Sequence, residues 1–340
     1  MNASAQKFEL SLTWQKPSIG YEWEICSICD PWGNISDKSE LEQIYEEIPE
    51  GPYLTELDYS QSLISWKPFE QPALFAQFAD LKPEQDALLQ WANQHGRLID
   101  VDSKDAVFIL TKHFTIDNLL RPLRDNPYHK KGGQFYRRVK ADPWIFWYKE
   151  QRELGFTTML WEMLSKRDPR LNGIIMWAHE GQRIYVYKIK KELLDEIDFE
   201  KFRTDEDYLL EYTTSRVLLL DIYARKREDA WLVRYCRFPD VMNAASVYIQ
   251  STINNKLSEY PLQVKFQMDE DGLLRKTLMP TSLLSAMWYQ LYLAAIGEIK
   301  LRRCAICGRW ENMEGHRVNW SKHAACANNE RVKRSRSKKV

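Results

Sequence analysis

The sequence predicts an α+β fold: a large body mixing hairpins and helices, followed by a small cysteine-bearing C-terminal module. Three observations predict it. Stretches of period-two alternation and of three- and four-residue apolar spacing follow one another without the regular strand–helix–strand order of a parallel sheet. The 340 residues are 44% hydrophobic and 28% charged, with 13 Trp and 17 Tyr, enough apolar and aromatic volume for a sizeable core. The last 37 residues carry cysteines and a histidine at metal-ligand spacing, then a run of cations.

The N-terminal part reads as strands. Residues 7–15 alternate apolar and polar side chains, and residues 21–29 are aromatic and apolar. Residues 39–48 place Leu41, Ile44, Tyr45 and Ile48 on one helical face, stopped by Pro49-Glu50-Gly51-Pro52. A helix is predicted over residues 81–95, with Pro83 in its first turn, Leu88, Trp91 and Ala92 on one face and Gly96 at its end. Asp142-Pro143 opens an aromatic helix lined by Trp144, Trp147, Tyr148 and Leu154, with Gly155 as a break. Residues 173–188 form a hairpin turning near Glu180-Gly181, and the acidic stretch 193–208 reads as a linker or a second helical piece. Residues 216–223 fit strand and helix equally.

Further on, Asp240 precedes a stripe of Met242, Ala245, Ile249 and Ile253. Residues 264–268 and 273–278 are strands joined through Asp269-Glu270-Asp271-Gly272, which tolerate positive φ. Pro280-Thr281-Ser282 starts a helix carrying Leu284, Met287, Trp288, Leu291 and Ala295, closed by Gly297. The expected organisation is a body over residues 1–300, with a division near 190–210, and a module over 301–340 ending in a basic helix or tail. No apolar run approaches the roughly 18 residues of a membrane span. Residues 1–7 lack the regions of a signal peptide. Six cysteines, mostly in Cys-x-x-Cys or His-x-x-Cys pairs, fit a reducing, cytoplasmic setting.

The formal net charge is zero, but residues 299–340 hold twelve Lys and Arg against three Glu, leaving 36 basic and 45 acidic groups elsewhere. A basic tail on an acidic body suits an appendage that binds nucleic acid. Within it, Cys304-x-x-Cys307-Gly308 is separated by fifteen residues, counted from Cys307, from His323-x-x-Cys326. Paired soft ligands across a short loop are how a structural zinc site is written, since zinc takes four N or S ligands in a tetrahedron. Gly308 suits the positive φ of a metal knuckle, and Cys326 suits the start of a helix, where the dipole favours a thiolate.

The residues Leu301-Arg302-Arg303-Cys304-Ala305-Ile306-Cys307-Gly308-Arg309-Trp310 and Trp320-Ser321-Lys322-His323-Ala324-Ala325-Cys326-Ala327-Asn328-Asn329-Glu330-Arg331 resemble the CGNR-type zinc finger. Residues 242–299 and the helix at 87–96 are similar to what precedes that finger in bacterial proteins. Ser321 stands where the family has its third cysteine, and Cys326-Ala327-Asn328-Asn329 stands for Cys-Gly-Asn-Arg. His323 is the natural replacement ligand and His316 the alternative, either giving a three-cysteine, one-histidine site with one structural zinc. The resemblance implies a treble-clef-like module in a DNA-binding transcription regulator. Phosphate contacts would fall to Arg331, Lys333, Arg334, Arg336, Lys338 and Lys339, and base contacts to Arg309, Arg317, Asn328 or Arg331.

Other signals are weaker. Cys26-x-x-Cys29 lacks a following glycine and a nearby partner pair, and reads as ordinary packing. Lys130, Lys131, Arg137 and Arg138, interleaved with glycines and aromatics, read as an exposed loop and a secondary basic surface. No Walker loop, dinucleotide fingerprint, His-Glu-x-x-His or nucleophile elbow is present, and His95, His113, His129 and His179 stand singly. The expected function is therefore non-enzymatic nucleic-acid binding, DNA first. The alternative is a protein-interaction module with a purely structural finger, and an enzyme acting in the body comes last. The body remains available for a small-molecule ligand or self-association.

Overall fold

The computed structural model describes residues 9–10, 12–25, 52–57, 62–99, 107–110, 128–131, 134–139, 142–178, 182–204, 206–221, 240–268, 274–304, 306–312 and 326. The chain is mixed helix and sheet, as an α+β fold requires. It divides into two units that interleave along the sequence: residues 13–67 with 81–151, and residues 1–12 with 68–80 and 152–340. Helix Trp144–Lys166 contributes residues 144–151 to the former and 152–166 to the latter.

In the unit of residues 13–67 and 81–151, strands Trp14–Pro17 and Leu63–Trp66 pair antiparallel, with Trp14 opposite Trp66. Tyr21–Ile25 pairs with Pro52–Glu56, which also pairs with Asp142–Pro143. Against them lies helix Gln85–His95, burying Leu88, Trp91, Ala92 and His95. Its last carbonyls, short of intrahelical donors, are served by side chains from the strands. Lys16 Nζ donates to Asn93 O (3.0 Å) and Gln94 O (2.7 Å), and Trp66 Nε1 donates to His95 O (3.0 Å). Gly20, at φ +112°, lets the chain pass the Asn93 side chain, whose Oδ1 would lie 2.3 Å from an added Cβ. That oxygen accepts from the Tyr21 amide at 2.6 Å. Buried Asp142 accepts from Arg97 Nη2 (2.9 Å) and Nε (3.3 Å) and from Trp147 Nε1 (3.3 Å), so this buried charge is paired on both oxygens.

The other unit holds the larger core. Helices Val241–Glu259 and Leu283–Ala295 open on caps that the sequence marks: Asp240 accepts from the amides of Met242 and Asn243, and Ser282 from that of Ser285. Leu283–Ala295 is buried on nearly every side, with only its last residue, Ala295, exposed. Strands Ile175–Ala178 and Arg183–Ile189 form the expected hairpin, Ala178 opposite Arg183, and Thr213–Asp221 extends the sheet. Leu262–Met268 and Leu274–Pro280 pair from Leu262–Pro280 to Met268–Leu274, with Glu9–Leu10 added in parallel. Residues 191–212 form short helical pieces, Lys191–Glu196, Phe199–Thr204 and Glu206–Tyr212. Segment 68–80, carrying helix Leu74–Ala79, is fastened to Leu283–Ala295 by one amide. Buried Gln290 accepts from Phe75 N (3.4 Å) and donates to Pro68 O (3.2 Å) and Gln71 O (3.0 Å).

Three expectations are corrected. Gly155 does not break its helix, which runs 23 residues through it; buried apolar neighbours Leu154, Phe156 and Met159 outweigh the roughly 1 kcal/mol that Gly costs a helix interior. Pro83 stands before the first turn, because Glu84 is the N-cap. Lys130, Lys131, Arg137 and Arg138 lie on paired strands Tyr128–Lys131 and Gln134–Val139, not in a loop. The helix expected over 39–48, the turns at 180–181 and 269–272, Cys26, Cys29, His113 and His179 lie outside the described residues. Among the described residues, no helix is long and apolar enough to cross a membrane.

Two outcomes follow from this packing. Gln290→Met keeps the side chain's length but takes away the acceptor of Phe75 N and the second donor of Pro68 O and Gln71 O, each of which keeps one backbone donor. It should cost roughly 2–4 kcal/mol in denaturant unfolding of the full chain. Burial, reinforced by the charge of Lys16, holds the pKa of His95 down at about 4. The unfolded chain therefore takes up a proton near pH 6.5 that the fold refuses until about pH 4, so stability is complete above that window and falls as pH drops through it. Unfolding midpoints at pH 7 and pH 5 should show this loss, and His95→Gln should flatten it.

Candidate metal centre

The candidate metal centre begins on a short hairpin. Leu301–Arg303 and Trp310–Asn312 pair antiparallel, Arg303 opposite Trp310. Between them the chain turns tightly: Cys304 N donates to Arg309 O (2.8 Å), and Gly308 N donates to Cys304 O (2.8 Å). Gly308 has φ +70°. This is the backbone that the glycine after Cys307 predicts, since left-handed φ costs a side-chain-bearing residue about 1–2 kcal/mol.

Cys304 is buried, Cys307 exposed and Cys326 half-buried, the last with helical backbone. Their three Sγ atoms all lie within 4.8 Å of one another. Zinc–sulfur bonds of about 2.3 Å in a tetrahedron put sulfurs about 3.8 Å apart, so a shared ion needs a contraction of about 1 Å or less. The Cys326 thiol is pushed up to about 11, first by its hydrogen bond with Cys307, then by desolvation and by the bond and charge of Cys304. Three thiolates this close repel one another; a cation among them removes that cost. The three cysteines can therefore hold a metal ion.

The hairpin is held by an ionic and aromatic cluster. Arg303 donates to both Asp80 oxygens, Nη1 to Oδ2 (2.7 Å) and Nη2 to Oδ1 (2.8 Å), and its Nε donates to both oxygens of Glu162 (2.9 and 3.1 Å). Trp310 Nε1 donates to Asp80 Oδ2 at 3.0 Å. Lys191 Nζ pairs with Asp80 Oδ1 and also donates to Ala79 O (3.1 Å). The Arg303 guanidinium lies 4.3 Å from the centre of the Trp310 ring, which stacks on Trp161 at 5.9 Å. Burial alone would raise the Asp80 carboxyl; the Arg303 and Lys191 contacts outweigh it and lower the pKa. Asp80 closes helix Leu74–Ala79, where the dipole disfavours an anion, so these cations offset an otherwise poor placement.

Of the residues expected at the site, the structure brings together Cys304, Cys307 and Cys326 and leaves Arg309 exposed on the turn. His323, His316, Ser321, Arg317, Asn328, Arg331, Lys333, Arg334, Arg336, Lys338 and Lys339 lie outside the described residues. Asp80, Glu162, Lys191 and Trp161 escape sequence reading, because no local spacing links them to the cysteines. Comparison with protein-family models, characterised proteins and solved structures finds no match.

A thiol held at about 11 keeps its proton at pH 8 and must give it up to ligate. Adding a thiophilic divalent ion to metal-free protein in weak buffer at pH 8 should therefore release protons, not take them up. Cys326→Ser should lower the release by about one proton per ion bound, read by pH-indicator titration.

Proposed function

We propose that residues 301–340 form a structural zinc module that presents cations to nucleic acid, DNA first, as part of a bacterial regulator of transcription. The observation that carries this reading is the convergence of three Sγ atoms within 4.8 Å at the head of the most basic stretch of the chain. His323 is the fourth ligand on this reading, with His316 as the alternative, giving a set that zinc takes readily and that leaves no position open for substrate. Bound there, zinc supplies cohesion: it stabilises a segment with little apolar content of its own. On this reading the module is treble-clef-like and of the CGNR type, with Cys304 and Cys307 on its knuckle and Cys326 as a third ligand.

The binding chemistry then divides by residue. Arg331, Lys333, Arg334, Arg336, Lys338 and Lys339 would meet phosphates, and base reading would fall to Arg309, Arg317, Asn328 or Arg331. Lys130, Lys131, Arg137 and Arg138, on paired strands, are a secondary basic surface on this reading. A second reading, a finger serving structure or protein contact only, is favoured by the anchoring of the knuckle through Arg303 and Trp310.

The test joins metal content to salt dependence. Purified protein should carry one zinc per chain, lost in His323→Ala and kept in Ser321→Cys. Binding to duplex DNA should weaken steeply between 50 and 200 mM salt, with log K falling by about 0.9 per phosphate contact for each decade of salt. Replacing Arg331, Lys333 and Arg334 by Ala should reduce the magnitude of that slope by about one for each cation removed. Zinc-loaded protein that binds no polynucleotide at low salt would leave the structural reading in its place.

A further inference from the structure

We propose that Asp80 is a positioning residue for the metal centre: its carboxylate clamps both strands that leave the Cys304–Cys307 knuckle and sets the affinity of the site for its ion. The proposal rests on metal binding at Cys304, Cys307 and Cys326 as read above.

The argument is geometric. Arg303 immediately precedes Cys304, and Trp310 lies directly opposite Arg303 across the hairpin. These two residues are the last pair before the knuckle, and Asp80 takes donors from both. Arg303 reaches it with Nη1 and Nη2, and Trp310 with Nε1. One carboxylate thus fixes the separation of the knuckle's two ends. Glu162 holds the remaining Nε of the same guanidinium, and Arg303 Nη1 also donates to Gly308 O at 3.3 Å, inside the turn. The hairpin has only three register pairs of its own, too few to stay ordered without such support.

Order before binding is what an ion gains from. A ligand loop that is loose in the metal-free protein must be immobilised when the ion arrives, and that cost is subtracted from affinity. Groups behind a ligand set commonly change metal affinity by about tenfold to a hundredfold. Asp80 stands 223 residues before Arg303, so it belongs to no cysteine motif and acts on the site only through the fold.

The experiment uses the full chain and zinc alone, in competition with a chromophoric chelator, with cobalt(II) absorption as a second signal. Asp80→Asn should weaken zinc binding about tenfold or more, and it should dim the sulfur-to-cobalt charge-transfer band. Asp80→Glu should recover most of the affinity. Trp310→Phe keeps the ring stack and removes one donor to Asp80, so it should weaken binding by a smaller factor, with the metal-free unfolding temperature close to that of the native chain. Unchanged zinc affinity in folded Asp80→Asn overturns the clamp while leaving the metal centre standing. Should Asp80→Asn fail to fold, Trp310→Phe decides: equal affinity overturns the proposal and weaker affinity supports it. A native chain that binds no zinc removes the metal reading itself, and the clamp with it.

Discussion

One carboxylate organises the end of this chain. Asp80 accepts from Arg303, Trp310 and Lys191, three residues from two distant segments. Its position follows from a buried polar side chain. Gln290 ties the backbone of Pro68, Gln71 and Phe75 to helix Leu283–Ala295. Helix Leu74–Ala79 is thereby seated on the core and delivers Asp80 from its C-terminal end. A buried amide thus fixes a segment, the segment presents an anion, and the anion holds the hairpin on which the cysteines stand.

Polar groups recur in this fold wherever backbone would otherwise go unsatisfied. Lys16, Trp14 and Trp66 each donate to a carbonyl at or just beyond the end of helix Gln85–His95. Asp142 answers Arg97 and Trp147 in a site where an unpaired charge would be costly. Trp residues serve in the same way: Trp14, Trp23 and Trp66 donate to backbone carbonyls, and Trp147 and Trp310 to carboxylates, bonds that Phe in their place would leave unmade.

Much of this was legible in the sequence wherever a local rule coincides with the global fold. Asp240 and Ser282 announce helices that the structure caps through those same side chains. The two strands expected on either side of residues 269–272 are found, as Leu262–Met268 paired with Leu274–Pro280. Where the reading failed, a tertiary term overrode a local one. Gly155 is tolerated because apolar packing on both sides outweighs its backbone entropy. Gly132-Gly133 is a two-residue hairpin signal that the surrounding cations and aromatics disguised. Residues 216–221 became strand because Arg183–Ile189 offers them an edge. The cysteine spacing announced the cluster of Cys304, Cys307 and Cys326, while Asp80 and Glu162, which hold Arg303 beside it, carry no signature, since an anion at long separation looks like any solvated charge.

The interleaving of segments has a consequence in time. Asp80 waits for Arg303, and Pro68 waits for Gln290, across separations of 223 and 222 residues. At about 5–20 residues per second, a ribosome needs on the order of 10–45 s to make such a length of chain. Throughout that interval helix Leu74–Ala79 has been synthesised without the helix that will cover it, its Leu, Phe and Ala side chains destined for full burial but still lacking their partner surface. The nascent chain must therefore hold an apolar segment in reserve until helix Leu283–Ala295 has emerged.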